Sequence, residues 1–355
     1  MKKTFVFLST LAALATALVW LTSPTQGDEK KTFPPMGKID RLDPAFDKLI
    51  APGAYVENLA DGWGWAEGPI WIKDGAYLLN SDTQKNNIIK WKEGEGRSVF
   101  LHPSGTLGEP TDLVEPGSNG LTLDHAGRLI MCQHGERRIA RLEKDNKTET
   151  ALADHYDGKR FNSPNDVVVK SNGDVYFTDP PYGLVKKGRK AGEPEFPGME
   201  MGYSGVYRVS KDGKVTLLTK ELTRPNGIAF SPDEKTLYVS NSDPQKAVWM
   251  AFAVKEDGTL GKGRVFYDNS KWAADKTKKG LPDGMKVDKD GNLFATGAGG
   301  LFVITPEAKL LGVIDTGVAT ANCNWGDDGS MLYICADKNI ARIKTKTKGN
   351  GWDRK

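Results

Sequence analysis

NDVVVKSNGDVYFTDP, residues 165–180, reads as a polar head residue, a short apolar strand, a Ser-Asn-Gly turn and a second strand. Alternating apolar residues on either side of an Asn-Gly or Asp-Gly turn mark a β-hairpin. The chain writes this unit six times. The other copies are EGPIWIKDGAYLLNSD from Glu67, NGLTLDHAGRLIMCQHG from Asn119, NGIAFSPDEKTLYVSNS from Asn226, DGMKVDKDGNLFATGAGG from Asp283 and NCNWGDDGSMLYICAD from Asn322. In four copies a glycine follows the head residue by eight positions: Gly75, Gly127, Gly173 and Gly291. The Asn226 copy has Glu234 there, inside the turn SPDEK, and the Asn322 copy is one residue shorter, with Gly329 at its turn.

A third strand follows each hairpin: NNIIKW, RRIARL, GVYRV, AVWMAFAV, GLFVIT and NIARI. A fourth is readable in five copies: SVFL, ETALA, VTLLT, GRVFYD and KLLGVI. Four-stranded units repeated around an axis make a β-propeller. The fold expected is all-β, a six-bladed propeller. The last blade lacks a fourth strand after Ile343, and AYVENLA at residues 54–60 is placed to supply it. Closure by this N-terminal strand removes an open sheet edge. One propeller over residues 51–355 leaves no room for a second domain.

Composition agrees. Of 355 residues, 40 are glycine and 19 proline, which suits short strands and tight turns more than helices. The three cysteines exclude a disulfide scaffold. The formal net charge is +3, and two of those charges are Lys2 and Lys3. A near-neutral chain with four histidines and no basic stripe does not suit nucleic-acid binding. MKK, an apolar run over residues 5–22 and the small residues Thr25 and Gly27 read as a signal peptide over residues 1–27. The expected location is periplasmic or secreted, with no membrane contact beyond that segment. Residues 28–50 read as a charged lead-in without a pattern, and KTKTKGNGWDRK as a frayed solvated tail.

The first strand of a propeller blade lines the channel, so the six head residues ring the axis: Glu67, Asn119, Asn165, Asn226, Asp283 and Asn322. All are carboxylates or carboxamides. Two carboxylates buried together are costly without a cation. Oxygen donors without histidine or cysteine suit a hard ion, calcium above all. Links between second and third strands open on the same face and carry Asp82, His134, Asp179, Tyr182 and Asp243. His134 is the one histidine expected over the ring. Residues 183–203, the longest link, are expected to cap the mouth. The three cysteines read as packed thiols, although Cys323 and Cys335 lie on neighbouring strands.

EGPIW, SPNDVVV with FTDPPYG, RPNGIAFSPDEKTLYVSNS and LPDGMKVDKDG together resemble the gluconolactonase, regucalcin and luciferin-regenerating family, in order along the chain. The resemblance implies one divalent cation at the channel mouth, held by Glu67, Asn165, Asn226 and Asp283. It implies that Asp283 is also the general base. CQHGERR and FTDPPYG are similar to the bacterial gluconolactonase branch, in which His134 and Tyr182 would face the substrate. The regucalcin branch has an arginine where this chain has Ser163. The function expected is calcium-dependent hydrolysis of a small-molecule sugar lactone such as gluconolactone. In it Asn119 and Asn322 would bind sugar hydroxyls and His134 would protonate the leaving alkoxide. Two rivals stand beside it: a phosphotriester hydrolase using the same cage, as in the similar diisopropylfluorophosphatase, and a propeller used as a binding platform without catalysis. The platform predicts a ring of unmatched residues, and the all-oxygen ring speaks against it.

Overall fold

A computed structural model describes Met1, residues 32–108 and residues 111–352. The signal peptide expected over residues 1–27 lies outside the described residues, Met1 aside. Residues from Phe33 onward form one compact unit. That unit contains six antiparallel sheets, each wound from the axis outward, and one two-stranded ribbon. Blade 1 runs Ala66–Ile72, Tyr77–Asp82, Asn87–Lys92 and Gly96–Leu101, and blade 2 runs Ser118–Leu123, Leu129–Gln133, Arg138–Leu142 and Glu149–Ala153. Blade 3 is Val167–Val169, Val175–Asp179, Gly205–Val209 and Val215–Thr219, and blade 4 is Pro225–Phe230, Thr236–Asp243, Lys246–Ala253 and Arg264–Asp268. Blade 5 opens with Met285–Val287, Leu293–Gly297, Gly300–Ile304 and Leu310–Asp315, and blade 6 with Thr320–Gly326, Met331–Ala336 and Asn339–Lys344. The six-bladed propeller is thus present, strand for strand.

The blades hold together by their faces. Strand side chains alternate between the two faces of a sheet, so each blade presents an apolar face to each neighbour. Six apolar clusters result, one in each gap between blades. Aromatic rings carry much of this burial. Phe161, Phe177 and Tyr207 form a triangle with centroids 5.1–5.4 Å apart between blades 2 and 3. Such a ring hides roughly 150–250 Å², on the order of 4–6 kcal/mol of gross transfer free energy.

Val56–Asp61 pairs antiparallel with Asn339–Lys344, as Asn339↔Asp61 and Ala341↔Asn58, and closes blade 6. The lead-in departs from expectation. Pro35–Met36 adds a fifth strand to blade 6, and Lys38–Arg41 a fifth strand to blade 5. Phe46, Leu49 and Ile50 then fill the gap between these blades. These strands are only two and four residues long, too short to show a period, which is why residues 33–50 read as patternless. The tail is also ordered through Trp352. Lys346 N donates to Leu49 O at 2.7 Å, Asn350 N to Val287 O at 2.9 Å, and Trp352 lies under the Lys73 ammonium at 4.3 Å. Its alternating threonines turn inward: Thr345 and Thr347 are buried, and Thr347 Oγ1 donates to Asp288 Oδ2 at 3.0 Å. Among the described residues no helix is long and apolar enough to cross a membrane.

Candidate active site

Five head residues meet at one end of the axis. Glu67, Asn119, Asn165, Asn226 and Asp283 line a single cavity of about 420 Å³, together with Tyr182, Trp65, Glu115, Arg224, Ser242 and Thr320. Hydrogen bonds between blades set this ring. Gly120 N donates to Asn165 O at 2.7 Å, and Gly284 N to Ala321 O at 2.8 Å. Hydroxyls from the second strands do the same: Ser81 to Asn119 O at 2.7 Å, Thr178 to Asn226 O at 2.6 Å and Thr296 to Ala321 O at 2.8 Å. The corresponding second-strand positions in blades 2 and 6 hold Cys132 and Cys335, small side chains of similar size. All three cysteines are buried free thiols.

Ala321, not Asn322, therefore holds the ring position of blade 6. The spacing of the other copies agrees, because Gly329 lies eight residues after Ala321. Asn322 sits one layer deeper and is 2% exposed. Its Nδ2 donates to Glu67 Oε2 at 3.1 Å and it also bonds Asp166, the other side chain of that layer. The remaining four positions there are Gly68, Gly120, Gly227 and Gly284. A Cβ on Gly284 would come within 2.0 Å of the Asn322 amide, and one on Gly120 within 2.7 Å of Asp166 Oδ1. The glycines leave the axis to Asp166 and Asn322, which form the polar floor under the ring.

Other expected residues separate by role. Asp179 takes Asn162 N and Ser163 N at 2.8 Å each, and Asp82 takes Gly64 N at 3.0 Å. Both carboxylates fasten the chain entering their own blade. Asp243 accepts from Thr223 Oγ1 at 2.6 Å. Ser163 is fully buried: its Oγ donates to Pro180 O at 2.6 Å and accepts from Gly183 N at 2.9 Å, so it serves the turn and not the cavity. Tyr182 lines the cavity with its hydroxyl donating to Ser242 O at 3.0 Å. His134 does not line the cavity. It is fully buried behind Glu115, with Nδ1 at 3.6 Å from Glu115 Oε2.

Two charged wall residues were not anticipated. Arg224 stands two residues before Asn226, within the quoted RPNG, where the hairpin pattern gives no reason to single it out. Its guanidinium reaches Glu195 at 3.4 Å and lies 5.6 Å from the Phe196 ring, both in the long link. Glu115 comes from the linker between blades 1 and 2, outside any repeat, and has no sequence signal at all.

The cavity is rich in acid. Burial pushes Glu67 up to about 8, against two donors that work the other way, Gly68 N and Asn322. Burial, then the neighbouring Glu67, Asp166 and Glu115, holds Asp283 well above the ordinary carboxylate range. Burial lifts Glu115 to about 7 and lowers His134 to about 4. Asp283 Oδ1 and Asn119 Oδ1 are buried and accept no hydrogen bond. Buried acceptors without donors, beside several acids, are a misfit for an empty pocket and a fit for a hard cation. Among the described residues no three His, Cys, Asp or Glu side chains gather as a metal cluster; the donor set mixes two carboxylates with amides.

A six-bladed propeller with one axial cavity of carboxylate and carboxamide oxygens defines a class of small-molecule-binding propeller. Within it, the chain belongs to the family described as SMP-30/gluconolactonase/LRE-like, whose model matches residues 65–338. It is 40% identical to a gluconolactonase of Zymomonas mobilis over 319 residues, 88% of each chain. A gluconolactonase structure from Xanthomonas campestris superimposes with a TM-score of 0.74 at 31% identity, covering 89% of this chain and 99% of that one. The calcium-binding protein regucalcin of Agrobacterium tumefaciens shares the fold, with a TM-score of 0.62 at 16% identity over 90% of this chain and 97% of that one. These relatives support a hydrolase acting on small-molecule lactones.

Proposed function

We propose that the protein is an exported, calcium-dependent lactonase that opens an aldonolactone such as gluconolactone to the free acid. The observation that carries this reading is the pair of orphaned acceptors, Asp283 Oδ1 and Asn119 Oδ1, in a cavity shared with Glu67, Asn165 and Asn226. Glu67, Asn165, Asn226 and Asp283 would hold the cation. When bound, such an ion polarises a lactone carbonyl and stabilises negative charge on its oxygen. Asn119 is left to accept from sugar hydroxyls, and Tyr182 to bound the ring face. Asp283 accepts a proton from the attacking water, since calcium acidifies water weakly and a carboxylate base is still needed. Export rests on residues 1–27 and places the enzyme in the periplasm or outside the cell.

The test is a panel of aldonolactones, an aryl lactone and a phosphotriester, each with millimolar calcium and with chelator. Turnover of aldonolactones that chelator abolishes and calcium restores is expected. Turnover of the phosphotriester alone would replace the reading, and turnover of none would leave a binding platform.

A further inference from the structure

We propose that Glu115 is the general acid of lactone opening, protonating the ring oxygen as it leaves, and that His134 is the residue that positions it. This rests on the lactonase reading and adds the second half of its acid–base chemistry.

Lactone hydrolysis moves two protons. A water oxygen bonds to the carbonyl carbon while Asp283 takes the water's proton. The bond from that carbon to the ring oxygen then breaks, and the departing alkoxide needs a proton. Glu115 supplies it from its carboxylic acid, giving a free hydroxyl and the acid product. Solvent returns Asp283's proton to Glu115, and the balance is one water consumed.

The groups facing the cavity leave few candidates for that donor. Glu67 Oε2 is engaged by Gly68 N at 2.9 Å and Asn322 Nδ2 at 3.1 Å. Arg224 is a guanidinium and does not release a proton near neutrality. The Tyr182 phenol donates to Ser242 O and is pushed up to about 12 by burial. Glu115 remains. It lines the cavity, keeps 22% of its side-chain surface exposed, and makes no hydrogen bond to a ring residue among the described residues. Burial raises its carboxyl from the ordinary glutamate value to about 7. Acid and base therefore come from different parts of the wall, Glu115 from the linker and Asp283 from blade 5.

The backing is specific. Glu115's linker is pinned on both sides, by Val114 N to Val185 O at 2.9 Å and by Gly117 N to Thr83 O at 2.8 Å. Behind it His134 is fully buried and turned toward Glu115, whose backbone acts on the imidazole as a hydrogen-bond partner. The carboxyl of the same residue is also close: Glu115 Oε2 lies 3.6 Å from Nδ1, within reach of a small side-chain adjustment. Burial keeps the imidazole neutral, so it orients the carboxyl without ionising it.

Leaving-group dependence tests this. An aldonolactone expels an alkoxide, which needs the acid; an aryl lactone expels a phenolate, which does not. In the calcium-loaded full chain, Glu115→Gln should lower kcat on the aldonolactone by roughly 10²- to 10⁴-fold and on the aryl lactone by less than about ten-fold. His134→Gln should show the same asymmetry, smaller, with KM on the aldonolactone held. Glu115→Asp, which keeps the acid, should recover part of the loss and serves as the test if the glutamine variant does not fold. Equal losses on both lactones, or none on either, would overturn the assignment. A wild-type protein inert on both would fail the lactonase reading itself, a different result.

Discussion

Asp283 carries two demands that oppose each other. As a ligand it gives electron density to a cation, and that lowers its basicity; as a base it needs the basicity. Its Oδ1 is the orphaned oxygen, so one carboxylate can serve two partners. Asp283→Asn keeps an oxygen and the shape but takes no proton. If ligation dominates, the variant should bind calcium more weakly and recover much of its rate in excess calcium. If the base role dominates, saturating calcium should leave kcat down by about 10²- to 10⁴-fold. Calcium titration of turnover separates the two, and near-normal turnover at ordinary calcium would remove both roles. At this scale the sequence was legible where a residue repeats. Five of six ring members followed from the hairpin phase. The sixth was misplaced by one position because Asn322 has the expected chemistry while Ala321 has the expected spacing, and hydrogen-bond register, not chemistry, decides. Glu115 was invisible because no repeat contains it.

Between residue and fold lie the connections, and here two links act as one element. An isolated bridge joins Leu113 to Lys186, flanked by Val114 N to Val185 O and Lys187 N to Asp112 O at 2.7 Å. One partner of the bridge leads into Glu115 and the other leaves Tyr182, so both wall residues share a support. Further along, Glu195 and Phe196 meet Arg224, and Glu200 meets Arg137 at 3.0 Å. The ends of the long link belong to the core: Leu184 and Met201 are buried. Replacing residues 188–198 by a short Gly-Ser connection should therefore spare the fold and free Arg224. The expected outcome is a melting temperature within a few degrees of wild type and a changed order of preference among lactones, read as kcat/KM over a panel. An unchanged order would reduce the link to a solvated loop. Hairpins were legible because alternation and turn chemistry are local. The lead-in strands and the ordered tail were not, because they are short, their own alternation is slight, and key partners are remote in sequence, as in Lys38↔Asp315 and Lys346 N to Leu49 O.

Closure of the whole ring depends on acids that repel one another. Glu67 and Asp283 come from blades 1 and 5, with Asn165 and Asn226 from blades 3 and 4, so a cation among them would tie four blades at the axis. Without it, the folded state answers by keeping protons. Glu67 is raised from 4.5 to about 8, and Asp283 moves the same way. A carboxyl with a raised folded value binds more protons folded than unfolded, so stability falls as pH rises between those values. The contribution is complete below about 4.5 and lost as pH passes about 8. The chelated protein should accordingly melt at a lower temperature at pH 8 than at pH 5. A cation competes with those protons and is best bound when they are gone, so its stabilisation should grow over the same window. At a hundred times its dissociation constant an ion adds about 2.7 kcal/mol, on the order of several degrees for a chain of this size. Thermal melts at pH 5 and pH 8, with chelator and with millimolar calcium, check both slopes. A flat chelated profile would mean that the acids are not held protonated by burial. An equal calcium shift at both values would mean that the ion binds somewhere other than this ring.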